Sequence, residues 1–227
     1  MKISIIIPVF NEVNYIKKVI DKVYEKKKEF DLEIIISDDG STDGTQDLVK
    51  NSDKIDKFIT KKNEGKGSAI INALKYVAGD LVLIQDADLE YSPDDYKLLI
   101  EPFIKDNADV VYGSRFQGSS KKRIIYYRNR LANFFLTHLS NLFTNLNLSD
   151  VECGYKVFKT EVLKKINLKE KSFGFEIEST MKISKLNLRI FEVGVSYLGR
   201  TKEEGKKIGL KDGIEAIFLI FKYIIVK

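Results

Sequence analysis

Through its first half the chain alternates short β-branched runs with amphipathic helical stretches, and this alternation limits the folds open to it more than any other feature. The runs ISIIIPV (3–9), LEIIIS (32–37), KFIT (57–60), DLVLIQD (80–86) and ADVVYG (108–113) predict strands. Between them, Tyr15–Lys27, Thr45–Lys50, Ser68–Val77 and Asp94–Ile104 predict helices. Strands and helices that take turns at this spacing imply right-handed crossovers and an α/β fold, a Rossmann-like, mostly parallel sheet flanked by helices. Ligands of such sheets bind at the carboxyl ends of the strands.

The chemically loaded residues fall at those ends. Pro8, Asn11 and Glu12 follow the first run, Asp38 and Asp39 the second, Asp86, Asp88 and Glu90 a later one, and Ser114 and Arg115 the run ADVVYG. Polar clusters at several strand ends describe one site assembled along one sheet edge.

Beyond about Lys121 the pattern turns helical, which predicts a helical C-terminal elaboration. RIIYYRNRLANFFLTHLSNLF carries Ile125, Leu131, Phe134, Phe135, Leu139 and Leu142 on a broad apolar face, with Arg128 and Arg130 near its start. Its composition favours packing into the core over lying in a membrane interface. GYKVFK then reads as a strand, TEVLKKI and FEIESTMKISKL as helices, and RIFEVGVSYLG as extended chain. No repeat or linker interrupts the 227 residues, so one domain is expected over 1–227.

Composition narrows the chemistry. A single cysteine, Cys153, excludes a disulfide framework and a cysteine-rich zinc site, and one histidine, His138, leaves few nitrogen ligands, so a metal here is expected to be hard and oxygen-bound. The net charge of +5 is too mild for a nucleic-acid binder. Two local basic clusters, Lys121, Lys122, Arg123, Arg128 and Arg130, then Arg200, Lys202, Lys206, Lys207 and Lys211, suit phosphates or an anionic surface, or are solvated faces. The opening run is too short for a secretory leader, and AIFLIFKYIIVK, broken by Lys222, falls short of the roughly 20 residues a spanning helix needs. A cytoplasmic protein, at most peripheral at the cytoplasmic face of a membrane, is the expectation.

In extended backbone, side chains two apart point the same way, so Asp86 and Asp88 converge with only Ala87 between them. Two bare carboxylates that close repel, and a Mg²⁺ or Mn²⁺ ion shared with substrate phosphates resolves the conflict. A turn using the same acids for Asx bonds is the alternative. In SDDGSTDGT, the adjacent Asp38 and Asp39 stand where this fold class places acceptors for ribose hydroxyls or a base N–H. NEGKGS lacks phosphate-loop spacing, yet Lys66 at a helix start could reach a phosphate.

Together SIIIPVFNE, IISDDGSTDGT, NEGKGSAIINAL, IQDADLEYSPDDY, VVYGSRF, VECGYKVFK and YLGRTKEEGKKI resemble, in order, the family-2 glycosyltransferases of the GT-A fold. Within them the chain is similar to the dolichyl- or polyprenyl-phosphate sugar synthases, over nearly its whole length. The resemblance implies metal-dependent, inverting transfer of a sugar from a UDP- or GDP-sugar to a polyprenyl phosphate, with a nucleotide-sugar-binding half at 1–118 and an acceptor-binding half at 119–227. It implies a nucleoside pocket of Pro8, Phe10, Glu12 and Asp39, and a metal held by Asp86 and Asp88 with Glu90 where relatives often carry glutamine. Arg115 and Arg200 would meet the diphosphate and the acceptor phosphate, helped by Arg130 and Lys207; Asp150 would bind the sugar or cap a turn, and Glu176 would bind the sugar or serve as a base. In that reading the apolar segments 123–143 and 213–225 would face the lipid. A phosphate acceptor, ionised at neutral pH, needs no protein base. Two alternatives remain: transfer to a glycan hydroxyl, with Asp150, Glu152 or Glu176 as base, and a non-catalytic nucleotide-sugar-binding module.

Overall fold

A computed structural model describes residues 1–118, 122–124, 126–201, 203–205 and 209–225. Lys121, Ile125, Lys202, Lys206 and Lys207 lie outside the described residues. The first strand, β1 (Ile3–Val9), is buried along its whole length, as a strand covered on both faces must be. It pairs in parallel with β2 (Leu32–Asp38), Ile3 opposite Leu32, and with β4 (Leu81–Ile84), Ile3 opposite Leu81. β3 (Lys57–Thr60) extends the sheet beyond β2.

Alternate side chains of β1 feed two separate cores. Ile5 and Ile7 pack under α1 (Ile16–Glu25) and α4 (Tyr96–Lys105), while Ile6 packs under α3 (Lys66–Ala73) on the other face. In α1 the buried Ile16, Val19, Ile20 and Val23 fall at the three- and four-residue spacing that one helix face requires. The short α2 (Thr45–Lys50) completes that layer.

The C-terminal part is interleaved with the sheet as well as covering it. β5 (Val110–Ser114) and β4 are separated by β6 (Lys156–Lys159), which runs antiparallel to both, and β7 (Ile190–Gly194) adds in parallel at the edge beside β5. The order is β3-β2-β1-β4-β6-β5-β7. The expected extended segment after Arg189 thus supplies an edge strand, and Tyr197 beyond it pairs with Lys122 in an isolated bridge. α5 (Tyr127–Thr144), α6 (Thr160–Lys165), α7 (Phe175–Ile183) and α8 (Leu210–Ile225) bury residues in the same core as α3.

Two expectations about helices change. Along α5 the apolar side faces outward: Phe134, Phe135 and Leu142 are 57%, 56% and 74% exposed, whereas Asn133, Thr137, Ser140 and Thr144 are buried. The preference for core packing of this face is therefore overturned, because the inner face has polar work to do, described below. At α3, the first free N–H groups are already satisfied, Gly67 N donating to Ser172 O (3.0 Å) and Ser68 N to Lys171 O (2.9 Å). A helix start whose donors are taken by the chain itself is no longer a phosphate cradle.

That docking requires glycine, since a Cβ on Gly67 would fall 2.2 Å from Glu170 O. Gly67→Ala is expected to destabilise the protein by about 1–3 kcal/mol, the usual cost of overpacking. Urea unfolding checks this, and an unchanged midpoint would mean that segment 170–172 does not close on α3.

Candidate active site

The end of β4 delivers the acids. The strand stops at Ile84, and Gln85, fully buried, accepts hydrogen bonds from Tyr96 (2.9 Å) and Tyr155 (2.7 Å), which fixes the chain just before Asp86. Asp86 packs against bare backbone, for a Cβ at Gly154 would lie 2.2 Å from its Oδ2. Its Oδ1 meets Lys66 Nζ at 2.8 Å. Lys66 also reaches Glu176 Oε1 at 2.8 Å, and although burial opposes its charge, the two carboxylates hold it protonated well above the ordinary lysine range. Lys66, expected at a phosphate, is instead the brace of Asp86.

Asp88 is braced from the other side. Arg200 donates from Nη2 to Asp88 Oδ2 (2.8 Å), from Nη1 to Glu12 Oε2 (3.0 Å) and from its backbone N to Glu90 Oε1 (2.8 Å). It also lies over the ring of Tyr15, 5.2 Å from the centroid. The structure thus brings Glu12, Asp88, Glu90 and Arg200 together, but the arginine expected on a phosphate faces acids. Burial and then the charges of Asp86 and Glu90 push Asp88 up to about 7, against the pull of Arg200. Leu89 between the acids is left-handed, φ 61°, a costly conformation for a leucine.

Glu90, the third acid of the expected set Asp86, Asp88 and Glu90, is held from two sides: its Oε2 accepts from Tyr197 Oη (2.8 Å) and its Oε1 from Arg200 N (2.8 Å). Each of the three acids thus has a partner within the chain, Lys66 on Asp86 and Arg200 on Asp88, and among the described residues no group of three or more His, Cys, Asp or Glu side chains is arranged to hold a metal. The pair Asp86 and Asp88 fits a hard divalent cation: the donors are carboxylate oxygens, and Asp86 is backed by the bare backbone of Gly154.

Asp39 is engaged within the chain: its oxygens accept from Lys61 Nζ (2.8 Å), Glu64 N (3.1 Å) and Gly65 N (2.6 Å), which ties down loop 61–65. Asp38 caps the turn through Oδ1, which accepts from Gly40 N and Ser41 N, each 2.9 Å, and leaves Oδ2 buried without a partner. Pro8 is buried in β1, and Phe10 is partly exposed just past it. A cavity of about 230 Å³ opens beside them, lined by Asn11, Glu12, Tyr15, Asp43, Arg200 and Glu204 among others.

Arg115 and Asp150 hold each other. The guanidinium grips the carboxylate through Nε (2.7 Å) and Nη2 (2.7 Å), and Arg115 N adds a third bond at 2.9 Å. Asn133 on the inner face of α5 accepts from Arg115 Nη2 at 3.3 Å, and Thr137 accepts from Val151 N at 3.2 Å. This is the polar work that turns the apolar side of α5 outward. Removing one partner of such a buried pair costs about 3–5 kcal/mol, which marks a structural clamp. Asp150, expected at the sugar or at a turn, is thus placed on Arg115 and positions it. Arg130 lies apart from any carboxylate among the described residues, its guanidinium 5.6 Å from the Phe116 ring, the same distance as that of Arg115. Lys207 lies outside the described residues.

Sequence reasoning missed Lys156. It is fully buried, donates from Nζ to Val151 O (2.9 Å) and Cys153 O (2.5 Å), and burial lowers its pKa. A lysine at the head of an otherwise apolar strand, KVFK, was the available signal. Nearby, burial and then the charge of Glu176 push Glu152 up to about 7.

Known proteins are similar to this chain in sequence and in fold. The family model described as glycosyl transferase family 2 matches residues 4–167. A dolichyl-phosphate beta-glucosyltransferase of Trichomonas vaginalis is 33% identical over 182 residues, 72% of this chain and 55% of that protein. A UDP-N-acetylglucosamine–dolichyl-phosphate N-acetylglucosaminyltransferase of Methanococcus voltae is 29% identical over 181 residues, 71% of each. The chain thus spans little more than half the length of the first of these relatives. Among solved structures, glucosyl-3-phosphoglycerate synthase of Mycobacterium tuberculosis, crystallised with Mn²⁺, UDP and glucosyl-3-phosphoglycerate, superposes with TM-score 0.76 at 21% identity, over 98% of this chain and 80% of that one. That likeness establishes the GT-A fold, as the sequence motifs led us to expect. With carboxylates and their cations gathered at the strand ends of this fold and the family model covering most of the chain, the protein belongs to glycosyl transferase family 2.

Proposed function

We propose that the protein transfers a sugar, with inversion, from a UDP- or GDP-sugar to the phosphate of a polyprenyl lipid, using Mg²⁺ or Mn²⁺. The observation that carries the acceptor is the inverted α5: Arg130, an arginine without a carboxylate partner among the described residues, stands at its start, and an exposed apolar strip of Leu131, Phe134 and Phe135 follows. Phe143 on α5 meets Phe221 on α8, ring centroids 5.6 Å apart, and α8 continues the strip with exposed Ile214 and Phe218. An anionic head beside an apolar tail is the ligand such a surface suits. No helix among the described residues is long and apolar enough to cross a membrane. The relatives from Trichomonas and Methanococcus, named for transfer to dolichyl phosphate, support the same acceptor.

On the donor side, a divalent cation held by Asp86 and Asp88 would supply Lewis-acid stabilisation of the departing nucleoside diphosphate. The mycobacterial enzyme's complex with Mn²⁺ and UDP supports such a donor. Lys66 and Gly154 keep Asp86 in place, Arg200 keeps Asp88 in place and joins the C-terminal segment to the site, and the nucleoside would lie beyond β1 near Phe10 and Glu12. Arg130 would orient the acceptor phosphate, whose second pKa near about 6 leaves it ionised and nucleophilic without a base. Its in-line attack on the anomeric carbon breaks the bond to the diphosphate from the opposite face, which inverts the centre.

The test is incubation with Mg²⁺ or Mn²⁺, a panel of UDP- and GDP-sugars and a short polyprenyl phosphate, with mass spectrometry of the lipid and NMR of the anomeric product. Sugar-phosphate lipid of inverted configuration is expected. Asp88→Asn should lower kcat by about 100-fold or more, the scale of losing a main charge-stabilising contact. Arg130→Gln should raise the acceptor KM and leave the donor KM unchanged. Retained configuration, or transfer only to glycan hydroxyls, would contradict the proposal.

A further inference from the structure

The loop from Asp150 to Gly154 is fastened almost group by group. Asp150 is clamped by Arg115, Val151 N donates to Thr137, the carbonyls of Val151 and Cys153 accept from Lys156, and Gly154 N donates to Tyr91 Oη at 3.0 Å. Gly154 in turn lies against the carboxylate of Asp86. The exception is Glu152. Its Oε1 is buried and has no hydrogen-bond partner.

A second orphan faces the same region. Glu176, 4% exposed, gives Oε1 to Lys66 and leaves Oε2 buried without a partner, while the same Lys66 holds Asp86. Glu152 and Glu176 act on each other electrostatically. Buried acceptors left empty are costly, and a rigid loop that fixes everything around an empty carboxylate is organised for a donor the chain does not supply. A cation is a poor candidate, because Lys66 and Lys156 already bring positive charge to these two carboxylates. Neutral hydroxyl groups fit, since each donates one hydrogen bond without adding charge.

We infer that Glu152 Oε1 and Glu176 Oε2 accept hydrogen bonds from hydroxyl groups of the transferred sugar, and so set which sugar the enzyme takes. This rests on the nucleotide-sugar reading above. It also places the sugar next to Asp86, where the diphosphate of the donor would end. Hydroxyl recognition by buried acceptors discriminates strongly, because a sugar lacking the matching group leaves the carboxylate empty.

Calorimetric titration with Mn²⁺ present tests the inference, using UDP, UDP-glucose, UDP-N-acetylglucosamine, GDP and GDP-mannose as probes. Glu152→Gln, nearly isosteric and free of a buried charge, is expected to weaken the preferred nucleotide-sugar at least tenfold while the free nucleotide changes less than twofold. Deoxy analogues of that donor, titrated against the unaltered protein, should show one hydroxyl whose removal costs a similar factor, and that loss should vanish in Glu152→Gln. Unchanged nucleotide-sugar affinity in the variant, with kcat lost instead, would overturn the inference and mark Glu152 as a general base. Equal loss for nucleotide and nucleotide-sugar would overturn it in favour of a structural role. Failure of the unaltered protein to bind any of the five probes would overturn the nucleotide-sugar reading, and this inference with it.

Discussion

Carboxylates crowd the carboxyl edge of the sheet, and most of the surrounding structure answers the resulting repulsion. Glu12, Asp86, Asp88 and Glu90 come from the ends of β1 and β4, which neighbour each other in the sheet. Lys66 neutralises one flank and Arg200 the other. Because Arg200 lies far along the chain from Glu12, its clasp also draws the segment after β7 back across the sheet edge. Lys66, shared between Asp86 and Glu176, ties α3 to α7 in the same way. Electrostatics at the site thus organises the chain's return path as well as its chemistry.

The second organising feature is the clamp of Arg115 on Asp150. It calls for polar partners on the inner face of α5, supplied by Asn133 and Thr137, and so leaves Leu131, Phe134, Phe135 and Leu142 in solvent. One buried ion pair therefore links the end of β5, the loop that lies against Asp86, and an apolar surface continuous with α8. The proposed donor site and the proposed acceptor surface thus share a support.

Much of this was legible in the sequence. The alternation of β-branched runs and amphipathic stretches gave the parallel strands β1 to β5, and the acids at their ends lie where the spacing put them. What escaped was decided by tertiary partners. KVFK reads as a strand, but nothing local says it runs antiparallel between β4 and β5. Spacing places Asp86, Asp88 and Glu90 together, but it does not show the left-handed Leu89 between them or the hold of Tyr197 and Arg200 on Glu90. Asp39 reads as a free acceptor, and only the folded loop 61–65 reveals three donors upon it. The α5 pattern was read by its apolar residues, whereas its polar ones, facing Arg115, determined which side was buried.

The account turns on whether Asp86 and Asp88 form a divalent-metal site that serves a nucleotide diphosphate. The direct measurement is electron paramagnetic resonance of free Mn²⁺ titrated with the protein, alone and with UDP or GDP. One Mn²⁺ bound per chain, tightened by nucleotide and lost in both Asp86→Asn and Asp88→Asn, is the result this structure predicts. Mn²⁺ that stays free with either nucleotide, or that binds equally well in both variants, would contradict it.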